Sequence, residues 1–423
     1  MAKSITYNTL AQLTAKLVSM SLTILATVLI TRYFGRAGYG EFSLMQALPA
    51  LFFILADFGL NTTALKIIST RKELVENHYN TVLYLRLATS CGLILLLGLV
   101  TLLLPYSTFL KSGILLSALL ILTQALYSTT NLVFQYARRY DLSAVGYVAG
   151  SIVTIGFIVL WILSGLDVRY MSFAYVLGGI VTFAVNAKLI SRLGYRLKLY
   201  LNPAIAKTVL YGSIPLGIMF VFSQINFKAD ALLLSLMKLP PWLQLSNIEA
   251  VATYSLPYKV FEVALVVPTF FMNSVFPVFV QKLAANPQEL KKVYLKTLKL
   301  LGGLGLCASL GSFVLAPLLI RLLGGSGFDQ SVTVLRILSV GLAVFFLSQP
   351  TAYLIVTLDK QRYLPLVYVI GSIFNVSLNL VLIPQYGFYA SAFLTWISEL
   401  VILALLGYFA RKAWKDYLYA SRS

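Results

Sequence analysis

The chain has 423 residues, 59% hydrophobic and only 11% charged, against roughly 25% charged in an ordinary soluble domain. That composition excludes a soluble globular class and identifies an integral membrane protein. The net charge of +19 raises the question of a nucleic-acid partner, which the placement of the basic residues answers below.

Apolar runs long enough to cross a bilayer, about 20 residues each, recur along the whole length with short polar breaks. Roughly twelve are expected, centred on Met20, Phe53, Leu93, Leu122, Gly156, Ile180, Phe222, Val266, Leu306, Phe345, Val376 and Leu403. The first continues to Ile30 without a small-residue cleavage site, so it reads as a retained span rather than a signal peptide. No interval is long enough for a soluble domain. His78 falls in a polar break and reads as a solvated loop residue. Cys91 and Cys307 lie in apolar runs, which supports neither a disulfide framework nor a metal site.

The basic residues mark a topology. With a cytoplasmic N-terminus, about 22 of the 33 Lys and Arg fall in inner segments, among them "YARRYDLS", "SRLGYRLKLYLNPAIAK" and the C-terminal "ARKAWKDYLYASRS". The outer segments hold about six, including Arg32, Lys111 and Arg321. Both termini are therefore expected in the cytoplasm. Attraction to anionic headgroups accounts for the basic loops, and no nucleic-acid partner is needed.

The segment "YVAGSI" at Tyr147 to Ile152 recurs as "YVIGSI" at Tyr368 to Ile373. Each copy opens the fifth span of a six-span half and follows a basic break. The expected architecture is all-α and membrane-integral, with two six-helix bundles, residues 1–198 and 199–423, around a central cavity. An even number of spans per half gives both the same orientation, so the symmetry axis would run along the membrane normal.

Several chemistries have no sequence support. No G-x-x-x-x-G-K-[ST] occurs, and "LLGGSGFDQS" is a Gly-rich outer turn with no strand before it. Paired carboxylates, a nucleophile with a base, and histidine clusters are all missing as patterns. The outer breaks are short and carry almost no carboxylates, unlike a membrane glycosyltransferase. A transporter fits better than an enzyme, with no metal and no cofactor called for.

Charges inside the spans carry the functional argument, because a charged side chain in lipid is costly and faces a bundle interior or an aqueous cavity. In "FSQINFKADALLLSLM", Lys228 and Asp230 are two apart, and such positions point about 200° from each other on a helix. Each must find its own partner. Lys16, Asp57 and Arg86 form an expected layer at inner depth. Lys228, Asp230, Lys259, Glu262 and Arg336 form one at outer depth. Lys259 and Glu262, three apart, can pair with each other, and Arg86, Arg336 and Glu399 can serve as inter-helix ties or, for the two arginines near helix ends, snorkel. Each layer has one more cation than anion, which suits a phosphate or pyrophosphate. Lys16, Lys228, Lys259 and Arg336 are thus candidate substrate-binding residues, with Asn61 and Asn226 for sugar hydroxyls. Asp57, Asp230 and Glu262 would balance these cations or exchange H+ or Na+.

The stretch "LITRYFGRAGYGEFSLMQALPALFFILADFGLNTTALKIIS" resembles the opening of bacterial polysaccharide-export flippases, through Arg32, Gly35, Gly40 and the Asp57-Phe58-Gly59 motif. "FKADALLLSLM" is similar to that family's seventh span, with Asp230 at its acidic position. "ATYSLPYKVFEVALVVPTFFMNSVFPVFVQ" is similar to its eighth, with Tyr254 and Pro277 matching. The resemblance implies membership of the multidrug, oligosaccharidyl-lipid and polysaccharide exporter superfamily, and a cavity that opens alternately inward and outward. It implies movement of undecaprenyl-pyrophosphate-linked oligosaccharide across the cytoplasmic membrane for O-antigen or capsule assembly. Polysaccharide polymerase and chain-length proteins would be partners. Lipid II flippase relatives usually carry fourteen spans, so peptidoglycan precursor is the less expected cargo. The alternatives are a cation-coupled multidrug exporter (an antiporter with a more acidic cavity) and a non-transporting scaffold of a polysaccharide-assembly complex.

Overall fold

The computed structural model describes the backbone of residues 5–70 and 75–420 and the side chains of residues 18–68 and 75–419. Its first helix, α1 (Ile5–Asp57), contains 53 residues, a length of about 80 Å if continuous and more than twice the thickness of a hydrocarbon core. Gly35, at φ 66° and ψ −165°, breaks it. Only glycine enters that region freely, so the break divides α1 into two crossings.

The chain then runs through α2 (Leu60–Thr70), α3 (Val75–Leu103), α4 (Thr108–Ser117), α5 (Leu119–Tyr136), α6 (Tyr140–Leu163) and α7 (Val168–Arg192). After α8 (Pro203–Leu236) come α9 (Asn247–Ala285), α10 (Pro287–Gly324), α11 (Asp329–Val340), α12 (Leu342–Thr357), α13 (Leu364–Tyr386) and α14 (Phe388–Ala420). Among the described residues there is no strand. Among the described residues, eleven helical stretches are long and apolar enough to span a membrane, and the first, Val18–Ile68, holds 51 residues. Counting the break at Gly35, these supply the roughly twelve crossings expected from hydropathy, and every expected centre falls inside one of them. The protein is a multi-pass membrane protein.

The chain forms two compact units, residues 1–221 and 222–423, which divide within α8. In the first unit a core gathers Leu60, Ala64 and Ile68 of α2, Val75, Tyr79 and Val82 of α3, Val133 of α5, Ile190 of α7 and Val209 of α8. The three- and four-residue spacings make a single apolar stripe on each of α2 and α3. This packing corrects the expectation for His78: the helix starts at Val75, and His78 sits 4% exposed in its first turn rather than in a solvated loop. The basic stretch after α7 is strapped to α3, where Tyr79 donates to the Arg196 carbonyl at 2.9 Å and Lys198 N donates to Asn80 Oδ1 at 2.8 Å. Between α6 and α7 the backbones come close, since a Cβ on Gly150 would lie 2.4 Å from the Gly178 carbonyl. Small residues permit that approach between membrane helices.

The second unit repeats the plan. Its fourth crossing, α11 and α12, spans 29 residues, Asp329–Thr357, just as α4 and α5 span 29, Thr108–Tyr136. Each is broken after its first short helix, of 10 residues in α4 and 12 in α11. The repeated Tyr-Val-x-Gly-Ser-Ile segments lie in α6 and α13, the fifth crossing of each series. Outward positions are apolar, as at Leu103, Leu310 and Val314, while Thr129, Asn186, Ser331 and Asn379 are buried. That inversion is what lipid as solvent requires.

Candidate functional site

Polar chemistry gathers separately in each unit. In the first, α1 ends where Phe58 and Gly59 adopt positive φ of 35° and 72°. This double break stops the helix at Asp57 and sends its carboxylate toward α3, where Arg86 forms an ion pair with it. Arg86 is fully buried and Asp57 partly exposed. The guanidinium also donates to Thr129 Oγ1 at 3.1 Å, while Ser128 Oγ donates to the Asp57 carboxylate at 3.1 Å. Asn61 completes the group by donating to the Ser128 carbonyl and hydroxyl oxygens at 3.1 and 3.0 Å. Its Oδ1 is buried without a hydrogen-bond partner among the described residues.

Ser128 also lines a cavity of about 370 Å³ among α1, α5, α6 and α7. Thr23, Gln46, Gln124, Tyr127 and Tyr147 share that lining, and none of the lining residues is charged. Such a wall offers donors, acceptors and ring faces to a neutral polar group.

In the second unit, Lys228 and Asp230 take opposite faces of α8. Lys228 Nζ reaches Glu262 Oε1 on α9 at 2.5 Å, and Lys259 Nζ reaches Glu262 Oε2 at 3.0 Å. Two lysines thus share one carboxylate. The side chains of Lys228 and Lys259 are 26% and 42% exposed, so the cluster is reachable. The Lys228 ammonium also lies 6.0 Å from the centre of the Tyr258 ring.

Asp230 is fully buried. The Tyr254 hydroxyl donates to its Oδ2 at 2.6 Å, Thr395 Oγ1 lies 3.2 Å from the same oxygen, and Asn379 Nδ2 donates to Oδ1 at 3.0 Å. Asn379 Oδ1 in turn accepts from Ser391 at 2.8 Å. Asn375 donates to Ser398 at 3.2 Å one turn away. Each of these partners is neutral, and no Lys or Arg forms an ion pair with this carboxylate among the described residues. A carboxylate so placed can hold a proton or a monovalent cation, because its compensation comes from orientable dipoles rather than a fixed charge.

The remaining candidates stand apart from these groups. Arg336 on α11 lies 5.4 Å from the centre of the Phe313 ring of α10, and its Nε is buried without a partner. Asn226 is 2% exposed with Oδ1 unpartnered. The side chain of Lys16 lies outside the described residues. The hydrogen-bonding set of Asn375, Asn379, Ser391, Thr395 and Ser398 was not singled out in the sequence. Its signal is present as polar residues three or four apart within the otherwise apolar α13 and α14.

Membrane-crossing helices that hold ion-paired charges and a neutral-walled cavity in one unit, and in the other a buried carboxylate met by dipoles alone among the described residues, fit a membrane transporter rather than a structural bundle. The family model described as "Polysaccharide biosynthesis protein" matches residues 3–283, and the chain belongs to that family. A second model, MatE, matches residues 242–381. No curated relative matches. Among solved structures, a lipid II flippase MurJ in an inward closed conformation matches at TM-score 0.76 and 16% identity, over 96% of this chain and 90% of that one. An inward-facing multidrug resistance MATE family transporter of the MOP superfamily matches at 0.76 and 14%, over 98% and 99%. A MOP superfamily transporter from Pyrococcus furiosus, described by the reversed polarity of its binding pocket, matches at 0.69 and 15%, over 97% and 96%. The fold is that of MOP-superfamily flippases and transporters.

Proposed function

We propose that the protein flips undecaprenyl-pyrophosphate-linked oligosaccharide repeat units across the bacterial cytoplasmic membrane by alternating access, coupled to H+ or Na+. The observation that carries this reading is the convergence of two cations, Lys228 and Lys259, on the one carboxylate of Glu262 in a partly exposed cluster. A pyrophosphate or acidic sugar would complete that charge balance, and charge-assisted hydrogen bonds are the strong ones. Lys16 and Arg336 would add cationic contacts, while Asn61, Asn226 and the neutral cavity of the first unit would receive sugar hydroxyls. Asp57 and Glu262 balance charge, and Asp230 carries the coupling ion. Both termini would lie in the cytoplasm, as the basic segments require. The MatE match over residues 242–381 favours one second reading, a cation-coupled multidrug exporter.

The test is reconstitution in liposomes with a fluorescent undecaprenyl-pyrophosphate oligosaccharide, with and without a proton or sodium gradient. Movement above protein-free liposomes is expected, and Lys228→Gln should slow it about tenfold, the loss of one charge-assisted contact. Asp230→Asn should leave downhill movement but abolish its response to the gradient. Export of a cationic dye with no lipid movement would favour the multidrug reading.

A further inference from the structure

A second cavity, of about 1040 Å³, opens among α10, α12 and α14 in the second unit. Its polar end holds Lys291, Arg411, Lys412 and Lys415 against one carboxylate, Asp416. All four cations are exposed. Lys291, Arg411 and Lys415 form no ion pair among the described residues, and Lys412 Nζ lies 5.7 Å from the centre of the Tyr363 ring. Lys291 is in the second turn of α10 and the other three are near the C-terminal end of α14, so the charges share one end of the bundle. Away from that end the lining becomes apolar, at Leu298, Leu347 and Leu403. Trp414 and Tyr408 stand beside it with Tyr419, the residue types that settle at a membrane–water interface.

A basic mouth on a greasy trough, flanked by interfacial aromatics, matches one kind of molecule: a phosphate headgroup on long hydrocarbon chains. We propose that this groove holds an anionic membrane phospholipid, with its phosphate among Lys291, Arg411 and Lys415 and its acyl chains along Leu298, Leu347 and Leu403. Charge complementarity selects the anionic class over zwitterionic lipid, since the lining sets four cations against one carboxylate, Asp416. Basic pockets between membrane helices bind headgroups in this way. The groove shares no residue with the Lys228 cluster or the Asp230 network, so the lipid is a resident ligand and the inference stands apart from the transported substrate.

The test uses the full-length protein, with bound lipids counted by native mass spectrometry after exchange into equimolar phosphatidylglycerol and phosphatidylethanolamine of matched chains. The wild type should retain phosphatidylglycerol about tenfold over phosphatidylethanolamine, given the attraction of each basic side chain near the surface. The triple variant Lys291→Gln, Arg411→Gln, Lys415→Gln should lose that preference while still binding lipid. Gly407→Phe fills the trough where an added Cβ meets nothing within 4 Å, and it should reduce retention of both lipids with the charges intact. Equal retention by the wild type, or a preference that survives both variants, overturns the proposal. So does displacement of the phosphatidylglycerol by equimolar undecaprenyl pyrophosphate, which would give the groove to the transported lipid.

Discussion

Lys228 and Asp230 are two residues apart on one helix, and their different fates follow from that spacing. Positions about 200° apart cannot share a partner, so the lysine turns to Glu262 and the aspartate to Tyr254, Asn379 and Thr395. The sequence exposes this problem of two charges but not its solution, because Asn379 and Thr395 come from helices far along the chain. The Asp57 and Arg86 pair poses a sharper energetic question. Arg86 is fully buried, and removing the partner of a buried charge costs far more than the pair contributes. Asp57→Asn should therefore destabilise the protein by about 3 kcal/mol, the partial exposure of Asp57 keeping the cost at the low end. The double variant Asp57→Asn, Arg86→Met should recover more than half of that loss. Thermal unfolding in detergent measures both, and a double variant no better than the single would show that the arginine is not stranded.

At the scale of elements, what the sequence displayed was hydropathy, and hydropathy determined where helices cross because every crossing must satisfy its own backbone hydrogen bonds in lipid. What it did not display were the breaks inside crossings, at Ala118 and at Gly341, since neither interrupts the apolar run. Gly341 yields to a close neighbour, with a Cβ there falling 2.2 Å from the Trp396 Cβ, and that is a tertiary contact with no local signature. The Asp57-Phe58-Gly59 motif stands out in the sequence through its resemblance to a family motif, but the break in the helix there does not. Its physical reason is now apparent: Gly59 takes φ 72°, and a Cβ there would lie 2.9 Å from the Leu216 Cβ on α8, while the Phe58 ring occupies the space above Gly217. Gly59→Ala should cost about 1–3 kcal/mol, combining backbone strain with that clash. Gly217→Ala presses on the same contact from the other side, so the double variant should fall short of the sum of the singles. Melting temperatures of the four proteins give the coupling directly, and strict additivity would mean that the two glycines serve separate contacts.

For the whole molecule, the excess of 33 basic over 14 acidic residues makes a topological prediction, because most of the excess falls on alternate connections. The connection at Asn286, between α9 and α10, is flanked by Lys282, Lys291 and Lys292, whereas the turn after α10 at Ser326 has only Arg321 nearby. If one crossing separates them they lie on opposite sides, and the charge bias predicts that Asn286 is on the inside. Cysteine labelling tests this in a background with Cys91→Ser and Cys307→Ser, since both native thiols are free and exposed within apolar helices. In intact cells opened only at the outer membrane, a charged maleimide should label Ser326→Cys at once and Asn286→Cys only after the inner membrane is permeabilised. The reverse order would invert every loop together, because the crossings are joined in one chain. It would move the basic ends of α10 and α14 to the outer face, along with the groove they form. Labelling of both sites in intact cells would instead mean that α10 does not cross. Its 38 residues of largely apolar helix argue strongly against that, since an unspanned helix of this length would expose Leu310 and Val314 to water with nothing to cover them.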